Sequence, residues 1–256
     1  MAIDVGNTHM KFGVFDDKNL IYTWTINTKL EKTSDELGLQ IKSFLEFGNI
    51  KPENLENIIM SSVVPNVLRA VESACMRYLN KKPYLISEVE NLGIVNNYPN
   101  KDEVGMDRLV TASSAYHKYG APCIIVDLGT AITLDYVCKD GNYHGGLIAP
   151  GIEISTDALF TKTAKLPKID LVKPERVIGS STRESMQSGI VYGFIGMVDF
   201  LIEKILQEQN LKSDEVNIVG TGGFAGLISK HSKYITKIDK NLAMEGLRVI
   251  YEKNFE

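Results

Sequence analysis

Two segments of the chain carry the same arrangement of reactive and flexible residues. Asp4-Val5-Gly6-Asn7-Thr8 and Asp127-Leu128-Gly129-Thr130 each close a short apolar run and precede a second one. In both, a polar turn begins twelve residues after the aspartate, at Asp16-Asp17-Lys18-Asn19 and at Lys139-Asp140-Gly141-Asn142. Glycine lets the backbone come close to a ligand because it has no Cβ. Successive N–H groups of Gly6, Asn7 and Thr8 would then form an anion-binding concavity. The Asp4 carboxylate would hold a hard cation, directly or through water, and Lys11 would neutralise phosphate charge. One such turn by itself is more often a plain hairpin. Its recurrence with the same downstream spacing favours two loops facing each other across a cleft and gripping a polyphosphate and its cation. His9 lies in the first loop with no further chemistry assigned to it.

Other residues add to this pair. Asp127 ends the apolar run Cys123–Val126, where a carboxylate is costly unless it is paired or bound to a cation; Thr130 offers a hydroxyl to phosphate or to its own loop. Gly105-Met106-Asp107-Arg108 stands where a helix should begin. On local evidence Asp107 suits an N-cap first; its functional reading is a general base that takes a proton from a substrate hydroxyl, with Arg108 orienting an anion. Tyr98, next to Pro99, would reach the same mouth or pack on the proline. Gly220-x-Gly222-x-x-Ala225, with Asp239 at the end of the next strand, loosely matches a dinucleotide fingerprint. A dinucleotide fold should open a series of βαβ repeats there; too little chain remains, so these glycines read as close approach to an adenine or ribose. Gly189, Gly193 and Gly196 share one side of a long helix, which calls for a closely packed helix inside the lobe or across a dimer. There is no Gly-x-x-x-x-Gly-Lys-Ser/Thr loop in the sequence. No His or Cys pair has zinc spacing.

The elements that must position these groups follow from periodicity and punctuation. Strands are expected at 2–5, 11–15, 21–27, 58–64 and 84–86. A helix follows Thr33, which forms a capping-box pattern with Glu36, and another begins at Pro65. Residues 91–103 read as a loop, and a helix from about 107 to 119 closes the first half. The second half repeats the order: strands at 123–126, 131–138 and 143–149, a helix after Pro150-Gly151, and a basic connector over 161–178. A long helix at 182–209 follows. Then come a strand at 215–219, a helix at 223–230, a strand at 234–238 and a last helix at 242–253. This is an α/β architecture of duplicated lobes, residues 1–115 and 116–256, each a mixed sheet with helices, the last helix packing back on the first lobe.

Composition sets bounds. The 256 residues, 23% charged and 44% hydrophobic with a formal charge of −4, describe a soluble globular chain with room for a real core. The absence of Lys/Arg clusters argues against nucleic acid as a ligand. The longest near-apolar stretch, Gly189–Val198, is too short to span a bilayer. No signal-like start is evident, so no membrane role and a cytoplasmic location are expected. Cys75, Cys123 and Cys138 read as buried thiols in a reducing compartment.

Taken together, Asp4–Thr8, Ser61-Ser62-Val63-Val64-Pro65, Gly105–Arg108, Asp127–Ala131, Gly145-Gly146-Leu147-Ile148-Ala149-Pro150-Gly151, Gly179 with Thr182, and Gly220–Phe224 stand in the order found in type III pantothenate kinases. The resemblance covers essentially the whole chain and implies the actin-like, ribonuclease H-like fold of sugar kinases and heat-shock ATPases. It implies ATP-dependent phosphorylation of pantothenate to 4'-phosphopantothenate, the first step of coenzyme A biosynthesis. By that resemblance Asp107 is the proton acceptor, and Tyr98, Gly105, Met106, Asp107, Arg108 and Thr182 contact pantothenate. Asp4, Val5, Gly6, Asn7, Thr8, His9, Met10, Lys11 and Thr130 contact ATP. Asp127 holds a monovalent cation, K⁺ or NH₄⁺, which the family needs besides the Mg²⁺ that accompanies ATP, and a homodimer is implied. A non-catalytic regulator of the Bvg accessory factor type, which resembles this family, is the alternative.

Overall fold

The computed structural model describes residues 1–255. Two compact units emerge. Unit 1 comprises Met1–Val95, Pro99–His117 and the chain from Leu242 on; unit 2 comprises Asn96–Tyr98 and Lys118–Asn241. The expected boundary at 115/116 and the change of unit at His117/Lys118 both fall inside one helix, α3 (Met106–Tyr119).

In unit 1, β1 (Ala2–Val5), β2 (His9–Asp16) and β3 (Asn19–Asn27) form an antiparallel meander. After helix α1 (Ser34–Phe47), strand β4 (Ile59–Ser62) pairs parallel with β1. Helix α2 (Pro65–Leu79) then leads to β5 (Tyr84–Leu85), which is parallel to β4. The sheet order is β3-β2-β1-β4-β5. Thr33 and Glu36 close the expected capping box: the Thr33 N–H donates to Glu36 Oε2 at 2.8 Å and the Glu36 N–H to Thr33 Oγ1 at 3.2 Å. The core beneath stacks Trp24 between Phe12 (centroids 4.9 Å apart) and Phe44 (5.6 Å), geometry that contributes roughly 0.5–1.5 kcal/mol per pair beyond burial. Helix α7 (Leu242–Phe255) belongs to this unit; Met244, Leu247 and Ile250 share a core with Ala2, Ile59, Ile86 and Val110.

Unit 2 repeats the plan. Strands β7 (Cys123–Leu128), β8 (Ala131–Val137) and β9 (Asn142–Pro150) form the meander, and β10 (Asn217–Thr221) pairs parallel with β7 and with β11 (Lys237–Ile238). The order β11-β10-β7-β8-β9 is that of unit 1, extended by β6 (Val95–Asn96) beside β9. Helix α4 (Ile152–Lys162) follows Gly151, and the long helix α5 (Thr182–Glu208) is capped by Ser181, whose hydroxyl accepts the Glu184 N–H at 3.2 Å. The expected duplicated α/β fold of ribonuclease H-like, actin-like sheets is therefore present, with the same strand order in both units.

Three local expectations are corrected. The loop at 91–103 contains β6, whose two residues are too few to show a two-residue period. The helix expected at 223–230 shrinks to α6 (Ala225–Ile228) plus a 3₁₀ turn, and the strand at 234–238 to β11. Asp199 on α5 holds the segment that follows the 3₁₀ turn. Its buried carboxylate accepts the Ser232 hydroxyl at 2.5 Å and the Lys233 N–H at 3.1 Å, pulling residues 232–235 into a turn. Finally, a Cβ added to Gly189, Gly193 or Gly196 would meet nothing within 4 Å, so among the described residues no helix packs closely on these glycines.

The thiols separate by place. Cys75 and Cys123 are fully buried, and burial pushes both up to about 12, whereas Cys138 at the end of β8 is only partly buried. A disulfide-forming thiol reagent at about pH 8 is expected to modify Cys138 alone in the native protein, since the thiolate is the reactive form. Mass spectrometric detection of label on Cys75 or Cys123 without denaturant would contradict the packing of both cores.

Candidate active site

Both signature aspartates stand at the end of their unit's central strand. In β1 and in β7 the aspartate is the one residue that is not buried. Its neighbours correspond as well. Asp4 is opposite Lys11 on β2 and Ser61 on β4; Asp127 is opposite Thr133 on β8 and Thr221 on β10. Each carboxylate thus has a polar residue across one strand and a hydroxyl across the other. Directly opposite residues share one face of a sheet, so Lys11 lies on the face of Asp4. The Ser61 hydroxyl is buried without a hydrogen-bond partner; the sequence reading gave it no role of its own.

The first loop is closed from within. The Gly6 N–H donates to His9 O at 3.0 Å, so this amide serves the turn rather than an anion, contrary to the expectation for it. The end of β3 ties the loop down: Thr28 Oγ1–H donates to Gly6 O at 2.7 Å and the Thr28 N–H to Thr8 O at 2.9 Å. Asn7, Thr8 and His9 are exposed, while Val5 and Met10 are fully buried. A nucleotide could meet those two residues only through their backbone, because their side chains fill the core under the loop.

The second loop is one residue shorter, with the Gly129 N–H donating to Ala131 O at 3.2 Å. Two other glycines press on it. Gly222 has φ +90°, and a Cβ there would collide with Asp127 Oδ1 and lie 2.6 Å from the Leu128 carbonyl carbon. A Cβ on Gly151 would strike the Thr130 carbonyl and lie 2.7 Å from that of Gly129. The Phe224 N–H donates to Leu128 O at 3.0 Å. The 220–224 loop, read from sequence as a nucleotide contact, is therefore first of all the wall of the Asp127 loop. Among the described residues, no group of three or more His, Cys, Asp or Glu is placed to hold a metal ion.

Asp107 is the second residue of α3 rather than its N-cap. Its Oδ1 accepts the Arg108 N–H at 2.9 Å, and a Cβ on Gly105 would come within 2.5 Å of that same oxygen. The missing side chain at 105 is what lets the carboxylate fold over the helix start. Arg108 is half-buried one residue on, and the Thr111 hydroxyl donates to the carbonyls of Asp107 and Arg108 at 3.1 Å each. Gly105–Arg108 lie in unit 1, whereas Tyr98 and Thr182 lie in unit 2, Thr182 exposed as the first residue of α5.

A sequence profile described as type III pantothenate kinase matches residues 1–204. The chain belongs to the type III pantothenate kinase family. A family member of that name from Finegoldia magna is 51% identical over 254 residues, covering 99% of this chain and 97% of its own length. Two solved structures share the fold. One, described as a Baf family transcriptional activator from Campylobacter jejuni, has a TM-score of 0.60 at 18% identity, covering 98% of this chain and 97% of its own. The other is the activator of 2-hydroxyisocaproyl-CoA dehydratase from Clostridium difficile with bound ADPNP. It has a TM-score of 0.54 at 11% identity, over 98% of this chain and 93% of its own. No described helix is long and apolar enough to cross a membrane.

The packing of Gly222 on Asp127 carries a prediction for the family fold. Gly222→Ala should destabilise the protein by at least about 2 kcal/mol, from a strained backbone and an overpacked contact. A urea denaturation midpoint equal to that of the parent would contradict the contact.

Proposed function

We propose that Asp107 is the general base through which this chain phosphorylates pantothenate. The enzyme transfers the γ-phosphoryl group of ATP to the primary hydroxyl of pantothenate, giving 4'-phosphopantothenate, the first step of coenzyme A biosynthesis. The observation that carries the assignment is the Gly105–Asp107 contact: the glycine keeps a half-buried carboxylate folded at a helix start beside Arg108. As the hydroxyl oxygen forms its bond to the γ-phosphorus, its proton passes to the Asp107 carboxylate and ADP leaves. Phosphoryl transfer asks the protein mainly for positioning and charge balance. In this reading Arg108 pairs with the pantothenate carboxylate, while Tyr98, Gly105, Met106 and Thr182 complete its contacts. The exposed Asn7, Thr8 and His9, with Lys11 and Thr130, meet the ATP phosphates, and Asp4 meets them through the cation; Val5 and Met10 contribute backbone alone, and Gly6 gives the loop its close approach rather than its amide.

Mg²⁺ accompanies ATP. Asp127, with carbonyls of its glycine-walled loop, would hold K⁺ or NH₄⁺, whose charge would offset that of the phosphates. The exposed apolar side of α5 supports a homodimer. A groove of about 360 Å³ between α4 and α5 is lined by Leu159, Met186, Ile190, Phe194 and the open Gly189 and Gly193. Each mid-helix glycine costs roughly 0.5–1 kcal/mol relative to alanine, and a second copy approaching closely gives that cost a purpose.

Asp107→Asn should lower kcat by about 10²–10⁴-fold, with the KM for ATP and the melting temperature little changed. Turnover near the parental value would remove the base from Asp107. Added K⁺ should raise both turnover and the melting temperature of the parent protein, and Asp127→Asn should abolish both responses; retention of the thermal response would place the cation elsewhere. Light scattering should give twice 28.4 kDa for the parent and a shift toward monomer for Gly193→Arg. An unshifted mass would move the dimer surface off this side of α5.

A further inference from the structure

We infer that Asn96 and Gly145 are positioning residues that fix the Tyr98 ring for pantothenate, an inference that rests on Tyr98 being a pantothenate contact. Residues 96–98 belong to unit 2 although the chain on both sides of them belongs to unit 1. What attaches them is β6 at the edge of β9, continued by the Asn97 N–H, which donates to Tyr143 O at 3.0 Å.

That anchor is itself rigid. Tyr143 is fully buried, and its hydroxyl donates to Asp135 Oδ1 at 2.6 Å. Asp135, fully buried on β8, also accepts the Thr133 hydroxyl at 3.0 Å. A satisfied buried polar network of this kind holds its members in one arrangement.

Three constraints then converge on Tyr98. Its N–H donates to Asn96 Oδ1 at 3.0 Å, a local turn of the Asx type. Pro99 follows and biases the Tyr98 backbone to extended conformations. The ring lies against Gly145, where an added Cβ would be 2.7 Å from Tyr98 Cε2 and 3.1 Å from Cδ2. Gly145 has φ +102°, which disfavours any other residue, and it is buried beneath the ring. Tyr98 itself is half-buried, with part of its surface left for a ligand. Gly145 therefore shapes the aromatic wall of the substrate site without touching substrate, and Asn96 sets the backbone from which the ring projects.

The test is steady-state kinetics on Asn96→Ala, Tyr98→Ala and the double variant, with Gly145→Ala followed by ligand-induced thermal shift. Loss of the hydrogen bond to the Tyr98 N–H predicts that Asn96→Ala raises the KM for pantothenate about threefold to tenfold. The KM for ATP and kcat should stay within about twofold, a split that general destabilisation would not produce. In the double variant the pantothenate KM should equal that of Tyr98→Ala alone, because Asn96 acts only through the ring. Gly145→Ala should lose the melting-temperature rise caused by pantothenate and keep the one caused by ATP. Should Gly145→Ala not fold, the Asn96 cycle decides. A pantothenate KM unchanged in Asn96→Ala but raised in Tyr98→Ala overturns the positioning role alone, as do multiplying effects in the double variant. An unchanged KM in Tyr98→Ala overturns the substrate contact and the positioning role together.

Discussion

A carboxylate at the open end of a buried central strand is the constraint around which each unit is built. An ionised group inside an apolar strand costs several kcal/mol unless it is hydrated, paired or bound. Asp4 and Asp127 avoid that cost by standing one residue before the ends of β1 and β7, near the turns, where polar neighbours are available. The parallel strands beside them bring Ser61 and Thr221 into register, and the antiparallel ones Lys11 and Thr133. A tight glycine turn must follow, because the next strand runs straight back along the aspartate's own strand.

From the same plan the two units have diverged in how they use that end. In unit 1 the loop is longer and is tied to β3 through Thr28, leaving Asn7, Thr8 and His9 exposed. In unit 2 the loop is shorter and walled by Gly151 and Gly222. The first arrangement leaves polar side chains at the surface; the second sets a carboxylate against the backbone of Gly222. The candidate base sits on α3, outside both meanders.

Much of this was legible in the chain. The repeated Asp-x-Gly with a threonine close behind and a matched downstream turn announced the duplication, and the strand orders of both units agree with it. The capping box at Thr33, the proline start of α2 and the long α5 were readable because they depend on neighbours within four residues. The strand β6 and the shortened 223–238 region were not, because long-range partners decide them: the edge of β9 in one case, the Asp199 carboxylate in the other. For the same reason Met10 read as part of a ligand loop although its side chain completes the core.

Sequence alone determined the residue types at the site, the doubled architecture and the family, since local spacing and an ordered set of short motifs suffice for these. Tertiary structure decided which amide is consumed inside its own turn, which glycines press on Asp107, Asp127 and Tyr98, and which side of α5 stays uncovered. Those matters depend on close approach between segments far apart in the chain. A glycine records in the sequence only that something comes near, and folding alone determines what that something is.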